Sequence, residues 1–359
     1  MRLLIAAVLL LGIAAPVAQE PVAPKPQAAR PDDAQLLALL KARVEAGRGV
    51  GFVVGTIDAA GKKTVVTFGS PGPDSLPLDA DSVFEIGSIT KVFTAILLAE
   101  MADRGEVALD DPVAKYLPSN MLVPGKEGRA ITLLDLSTQT SGLPRMPDNF
   151  MPADMRNPYA DYTPAQLYEF LSRHELRREP GALFEYSNLG VGLLGHVLAL
   201  RAGKSWEALV KERILDPLGM DRTSITLSPW MTTHLVKGHD QKGNVASNWD
   251  IRTLEGAGGL RSTMNDMLKF AHANLQTKGR LQQIMQRTHA ERANAGNQYQ
   301  FVAMNWIIRR LNGQDVHWHN GGTGGYRTWL GFDKQKGIAA VVLTNSAHGA
   351  DDLGFGLMQ

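Results

Sequence analysis

A serine and a lysine, three residues apart, stand at the start of a long apolar segment. Ser88 is followed by Lys91, and apolar residues then recur at three- and four-residue steps as far as Met101. This spacing predicts a helix buried along one face, with Ser88 in its first turn and Lys91 on the same side. The field at a helix start favours negative charge, and a lysine in apolar surroundings loses its proton readily. Ser88 and Lys91 are therefore a candidate nucleophile and base, although serine is also a common helix cap.

Two later motifs carry further reactive groups. Tyr186 and Asn188 precede another apolar-periodic helix, while His319, Gly321 and Gly322 lie where a strand ends in a glycine-rich loop. A phenol and an amide suit proton transfer and substrate orientation. Glycines let a substrate approach the backbone, whose N–H groups can then stabilise an oxyanion. Taken singly, each motif also has a plain structural explanation, as a packed loop tyrosine and as a hairpin loop.

An antiparallel sheet is predicted to position these motifs. Alternating and apolar segments predict strands at Gly51–Ile57, 64–68, 300–310, 315–319, 326–332 and 338–345. Asn312-Gly313 is a hairpin signal, and short connections make neighbouring strands antiparallel. The segment 338–343 is apolar on both faces, so helices should cover the sheet on both sides.

Helices are predicted for most of the chain between the two groups of strands. Helix starts are expected at Asp32 or Asp33, Thr163, Leu189, Trp206 and Ser262 or Thr263. The fold class is therefore α+β, an antiparallel sheet flanked by helices with a large, mainly helical insertion. The predicted domain spans residues 32–359, with the sheet in about 32–87 and 298–359 and the helical part in about 88–297.

The N-terminal segment and the composition restrict where the protein works. Residues 1–18 have the charged start, apolar core and small residues of a signal peptide, and 19–31 form a Pro/Ala-rich linker. We therefore expect a periplasmic or secreted protein with no stable membrane span after processing. There is no cysteine, and the formal net charge of +1 argues against a nucleic-acid partner. His317 and His319 have no third ligand near them in sequence, so neither a metal nor another cofactor is expected.

The three motifs, in this order, resemble the family of class C β-lactamases and D-alanyl-D-alanine carboxypeptidases. The resemblance rests on Ser88-x-x-Lys91, Tyr186-x-Asn188 and His319-x-Gly321. It extends over most of the chain from about residue 32 and includes the segments 140–144, 216–220 and 258–263.

The resemblance implies a role for each motif residue. Ser88 would be the acylated nucleophile, with Lys91 and Tyr186 moving its proton. Asn188 would hold the substrate amide, and His319 would lie beside the substrate. The N–H groups of Ser88 and Gly322, after Gly321, would form the oxyanion hole, and water would then hydrolyse the acyl-enzyme.

The chain departs from the class C pattern at His319, where those enzymes have lysine. Because an ordinary histidine titrates near pH 6.5, we expect the anchor for a substrate carboxylate to be weakened or pH-dependent. The segment 145–147 shows no match to the side-chain amide that class C enzymes present there. The sequence leaves three functions open: hydrolysis of β-lactam or D-alanyl-peptide amides, a carboxylesterase, and a penicillin-binding or sensor module that stays acylated.

Overall fold

A computed structural model describes residues 30–311 and 313–359. The predicted signal peptide, the linker up to residue 29, and Asn312 lie outside the described residues. The strands are β1 Gly51–Ile57, β2 Lys63–Gly69, β3 Val83–Glu85, β4 Gly125–Lys126, β5 Arg129–Ala130, β6 Arg261–Thr263, β7 Ala293–Asn297, β8 Gln300–Val302, β9 Ile307–Leu311, β10 Gln314–Gly322, β11 Arg327–Asp333 and β12 Ile338–Thr344. The helices are α1 Asp33–Glu45, α2 Thr90–Asp103, α3 Leu133–Ser137, α4 Pro164–Arg173, α5 Asn188–Ala202, α6 Trp206–Val210, α7 Asp216–Leu218, α8 Pro229–His234, α9 Met264–Leu275, α10 Arg280–Thr288 and α11 Asp351–Gly356.

The described strands form one large antiparallel sheet and two small pairs. The large sheet has the order β2-β1-β12-β11-β10-β9-β8-β7, so that the first strand of the chain pairs with the last. The strand β3, just before Ser88, pairs with β6 instead. The predicted fold class is confirmed, since one antiparallel sheet carries helices and the insertion between β2 and β7 is mainly helical.

Apolar side chains cover both faces of the sheet. Alternate residues of β1 point to opposite sides, so Val53 packs with the helices α2 and α9 while Phe52 and Val54 pack with α1 and α11. Every residue of β12 is buried, as its apolar sequence predicted. The helix α11 is held near α1 by a bidentate ion pair in which Arg43 donates to Asp352 at 2.8 and 2.7 Å.

Local capping explains several helix boundaries. Asp32, Thr163 and Thr263 accept hydrogen bonds from backbone N–H groups in the first turns of α1, α4 and α9, which confirms the predicted starts. The helix α2 differs from its prediction. Residues 90–101 are all buried, because α2 runs through the interior rather than along its edge.

The predicted strand 300–310 is interrupted. It forms β8 and β9, separated by Asn305, whose φ of +56° takes it out of the strand conformation. Its side chain contacts the insertion, donating to the Lys91 carbonyl at 3.2 Å and accepting from Gln139 at 3.1 Å. The helices α7, α8, α10 and α11 and the strands β3 to β7 were not predicted. Within the described ranges, none of the helices is both long and apolar enough to cross a bilayer.

Candidate active site

Ser88 lies in a single helical turn between β3 and α2. The turn, Gly87–Ile89, has 3-10 geometry and leads directly into α2. Gly87 has a φ of +52°, and a Cβ at this position would lie 2.6 Å from the nitrogen of Gly322. A Cβ on Gly321 would lie 1.9 Å from the carbonyl oxygen of Ile86. The end of β10 is therefore pressed against the serine turn, and glycine is needed on both sides of the contact.

Lys91 lies directly beneath the serine. Its Nζ is 2.9 Å from Ser88 Oγ and donates to the carbonyl of Ala257 at 2.6 Å. The side chain is fully buried, and desolvation, assisted by the positive charge of Arg145, holds its pKa well below the usual value. A neutral amine can accept a proton, so the same Nζ–Oγ contact can carry the serine proton to Lys91.

Tyr186 lies on the other side of the serine. The Nζ of Lys91 is 5.1 Å from its ring centroid. Burial raises the pKa of Tyr186 to about 12, while its interaction with Ser88 and the charge of Arg145 act in the opposite direction. The phenol is therefore protonated when Lys91 is neutral, and it can pass a proton onward.

Asn188 is the first residue of α5 and is fixed by its backbone. Ser187 caps the helix by accepting from Gly190 N at 2.8 Å, and its own N–H donates to the Gln139 side chain at 2.7 Å. The Asn188 N–H donates to the carbonyl of Arg145 at 3.0 Å. The loop before α5 is thus tied to the segment 139–145, and the Asn188 side chain faces the cavity.

His319 lies behind the cavity wall. Its ring is buried, 6.1 Å between centroids from that of Tyr186, and its Nδ1 is 2.6 Å from the Asn320 carbonyl. Burial lowers the pKa of His319 to about 3, and Lys91 would lower it further whenever its amine is protonated. Of the two expectations for this position, a weakened and a pH-dependent carboxylate anchor, a ring that is neutral near pH 6.5 favours the weakened one.

A cavity of about 550 Å³ opens above the serine. The sequence-predicted residues Ser88, Tyr186, Asn188, Gly321 and Gly322 line it. Lys91 and His319 are not among its lining residues and lie behind them. Its other lining residues were not predicted: Arg145, Met146, Tyr159, Trp249, Ile251, Ala257, Gly258, Ile307, Asn320, Thr323 and Arg327. The glycine-rich sequence at 256–259 could have indicated a turn there, and the Ala257 carbonyl in this turn accepts from Lys91.

Buried polar contacts fix one wall of this cavity. The Glu85 carboxylate accepts from the backbone N–H of Trp249 at 2.9 Å and from the side-chain amide of Asn248 at 3.0 Å. Arg261 contacts Glu85 at 3.3 Å and donates to the Trp249 carbonyl at 2.9 Å. Trp249 then packs against Tyr159, with their ring centroids 5.4 Å apart. These contacts give the cavity an aromatic side.

Ser88 Oγ, the buried amine of Lys91 and the phenol of Tyr186 meet beside one cavity, an arrangement typical of serine hydrolases of the Ser-x-x-Lys type. The described residues include no group of three or more side chains placed to hold a metal ion. The sequence model of the beta-lactamase family matches residues 37–356. The chain belongs to the beta-lactamase family of serine hydrolases.

Individual relatives agree in sequence and in structure. The chain is 32% identical over 291 residues to the D-alanyl-D-alanine-carboxypeptidase/endopeptidase AmpH of Escherichia coli K12, covering 77% of this chain and 74% of the relative. It is 28% identical to a beta-lactamase of the same strain, covering 75% and 77%. The crystal structure of a beta-lactamase/D-alanine carboxypeptidase of Yersinia pestis matches with a TM-score of 0.76 at 25% identity, covering 90% of this chain and 94% of that one.

Proposed function

We propose that this protein is an exported hydrolase that cleaves β-lactam or D-alanyl-peptide amides through an acyl-Ser88 intermediate. The observation that carries the proposal is the 2.9 Å contact between Lys91 Nζ and Ser88 Oγ beneath an open cavity. The buried Lys91 is disposed to be neutral, and Tyr186 completes a path for the proton. Export rests on the signal-like segment 1–18, and it makes the periplasm or the exterior the place of action.

The proposed reaction proceeds in two steps. Ser88 Oγ attacks the carbonyl carbon while its proton passes to the Lys91–Tyr186 pair, and the N–H groups of Ser88 and Gly322 stabilise the oxyanion. The C–N bond then breaks, and the same pair returns the proton to the leaving nitrogen. A water molecule attacks the acyl-serine, which releases the carboxylic acid and restores the serine hydroxyl. Asn188, at the cavity rim, would hold the amide on the acyl side.

Arg327 is the group we assign to the substrate carboxylate. His319, placed where the class C enzymes have lysine, is neutral and buried. Arg327 lines the cavity beside Gly322, and its Nη1 is fixed by the carbonyls of Thr323 at 2.7 Å and Tyr326 at 2.8 Å. The guanidinium, which also lies near the Asp351 carboxylate, is suited to bind a substrate carboxylate.

The aromatic side of the cavity favours a carboxylesterase as a second candidate. Tyr159, Trp249, Ile251 and Ile307 together would accommodate an apolar acyl group. A slow-deacylating penicillin-binding module is the remaining alternative. The intact set of Ser88, Lys91 and Tyr186 favours turnover over a stable adduct.

One panel of assays tests the proposal. Wild type and Ser88→Ala are compared on nitrocefin, a peptide ending in D-alanyl-D-alanine and a p-nitrophenyl ester. We expect turnover of an amide substrate by wild type and none by Ser88→Ala, with unchanged far-UV circular dichroism. Mass spectrometry should locate a transient adduct on Ser88. Turnover of the ester alone would favour the carboxylesterase, a persistent adduct would indicate the penicillin-binding module, and activity retained by Ser88→Ala would exclude all three.

A further inference from the structure

Arg145 lies against the ring of Tyr186. Its guanidinium carbon is 5.0 Å from the ring centroid, a distance typical of a cation–π contact. Lys91 Nζ is 5.1 Å from the same centroid. The phenol of the proposed proton path is therefore flanked by an arginine as well as by the buried amine.

The backbone of Arg145 is fixed to the same catalytic segment. Its carbonyl accepts from the N–H groups of Asn188 at 3.0 Å and Leu189 at 3.2 Å, at the start of α5. The preceding carbonyl, of Pro144, accepts from the Ser187 hydroxyl at 2.6 Å. These hydrogen bonds thus hold the backbone of Arg145 next to that of the Tyr186 segment, although the two residues are 41 positions apart in sequence.

Arg145 is a charge without a carboxylate partner among the described residues. The groups that face Tyr186 are Lys91 from α2, the neutral His319 from β10, and Arg145 and Tyr159 from the loop between α3 and α4. None of these is an anion, so the charge of Arg145 acts on the phenol and the amine without local compensation.

We propose that Arg145 is a positioning residue for acylation: its guanidinium, resting on Tyr186, keeps the Lys91–Tyr186 pair ready to accept the Ser88 proton. This inference rests on the proposed function. Arg145 itself exchanges no proton in the proposed reaction and acts only through its charge and its contact with the ring. A permanent cation opposes protonation of Lys91, and it stabilises the phenolate whenever Tyr186 gives up its proton.

The expected size of the effect is moderate. At an effective dielectric constant of about 20 to 80, a unit charge ~6 Å away shifts the pKa of a group by roughly half a unit to two units. Arg145 is exposed at the open cavity, so water screens it and the lower part of that range applies. Removing the charge should raise the pKa of the active-site base by about half to one pH unit.

The test measures kcat/KM against pH with a neutral p-nitrophenyl ester, which has no carboxylate for an arginine to bind. Arg145→Gln and Arg145→Met should shift the acid limb upward by about half to one pH unit, with rates at the alkaline plateau within about threefold of wild type. Arg145→Lys, which keeps the charge, should restore most of the wild-type profile. Arg177→Gln, which removes an exposed arginine outside the cavity lining, is the matched control and should leave the profile unchanged.

The outcomes separate a role in tuning from a role in packing. A uniform loss of rate at every pH, without a shift of the acid limb, would overturn the inference, as would a shift equally large in Arg145→Lys. Folding of each variant is checked by thermal unfolding. If Arg145→Gln fails to fold, Arg145→Met, which keeps an apolar stem on the ring, provides the same comparison. An unshifted limb in an enzyme that still depends on Ser88 would remove this inference and leave the proposed function intact.

Discussion

Buried neutral histidines occur in two parts of this molecule. His319 lies behind the active-site cavity. His317, two residues earlier on the same strand face, packs instead with His289, their ring centroids 5.4 Å apart. Burial, aided by Lys334, lowers the pKa of His317 to about 4, and burial lowers that of His289 well below its usual value.

The two groups of histidines share a lowered pKa, but the residues around them differ. His289 binds the side chain of Asn274 at 2.8 Å, His317 binds the His289 carbonyl at 3.0 Å, and both rings pack on Phe332. His319 instead adjoins Lys91 and Tyr186, next to the serine. A depressed pKa therefore reports burial in both places. The serine, the cavity and the uncompensated charge of Arg145 distinguish the candidate active site.

The largest effect on catalysis is expected from removing the proposed proton path, Lys91 and Tyr186, which lies beside His319. Lys91→Ala and Tyr186→Phe should each lower kcat/KM by about 10²- to 10⁴-fold, the range of a general acid or base. Because the two groups act as one unit, the double mutant should be little worse than the worse single mutant. Steady-state kinetics on nitrocefin measure all three variants. Losses that multiply independently would show that the residues work separately.

A smaller but still large effect is expected where β10 meets the serine turn. Gly321→Ala places a Cβ 1.9 Å from the Ile86 carbonyl, so the strand end must shift and the oxyanion donors with it. We expect a loss of about 10²- to 10³-fold in kcat, as for removal of one such donor. Gly356→Ala, which meets no atom within 4 Å, is the control. Wild-type kcat in Gly321→Ala would contradict a preformed oxyanion hole.

The third prediction concerns the charge of His319. Because its pKa is about 3, activity on a carboxylate-bearing β-lactam relative to a neutral ester should show no transition near pH 6.5. Arg327→Gln should lower that ratio by about tenfold, the scale of one charge-assisted hydrogen bond. Parallel pH profiles of the two substrates give the ratio directly. A step in the ratio near pH 6.5 in the wild type, lost in His319→Gln, would show that the histidine does take up charge.

The smallest effect on catalysis is expected at the other histidine cluster. His317 has a pKa of about 4 when folded and about 6.5 when unfolded, so its stabilising contribution is complete above pH 6.5 and is lost as the pH falls towards 4. The full loss is about 3 kcal/mol, at 1.36 kcal/mol for each pH unit. His317→Gln should flatten this part of the pH dependence of unfolding and change kcat less than twofold. Chemical denaturation at pH 4.5 and 7.5 measures it, and an unchanged slope would contradict the assignment.

The sequence pointed to the residues that we propose carry the reaction, but not to those that we propose tune it. Ser88, Lys91 and Tyr186 were found because they belong to short motifs whose chemistry is local. The ionisation of His319 depends on what covers its ring, and those atoms come from distant parts of the chain. Arg145 was noticed only as a mismatch, since its contact with Tyr186 exists only after the two loops pack.

The fold shows the same division. Strand β1 and the starts of α1, α4 and α9 followed from alternation and capping, which are local. The depth of α2 and the break at Asn305 did not, because each depends on a contact across the chain, such as that between Asn305 and the Lys91 carbonyl. Periodicity describes one face of an element and cannot reveal that its other face is also covered.

The contacts that build the candidate active site and close the sheet come from widely separated parts of the chain. The serine turn lies near residue 88, the carbonyl that holds Lys91 comes from residue 257, and the strand end that closes the turn comes from residue 322. The first strand pairs on one side with β2, but its partner on the other side is residues 338–344. Contacts between residues far apart in sequence require a large loop to close, which costs conformational entropy. A chain cut before residue 257 would lack the carbonyl that holds Lys91, and one cut before residue 322 would lack the strand end that packs against the serine turn.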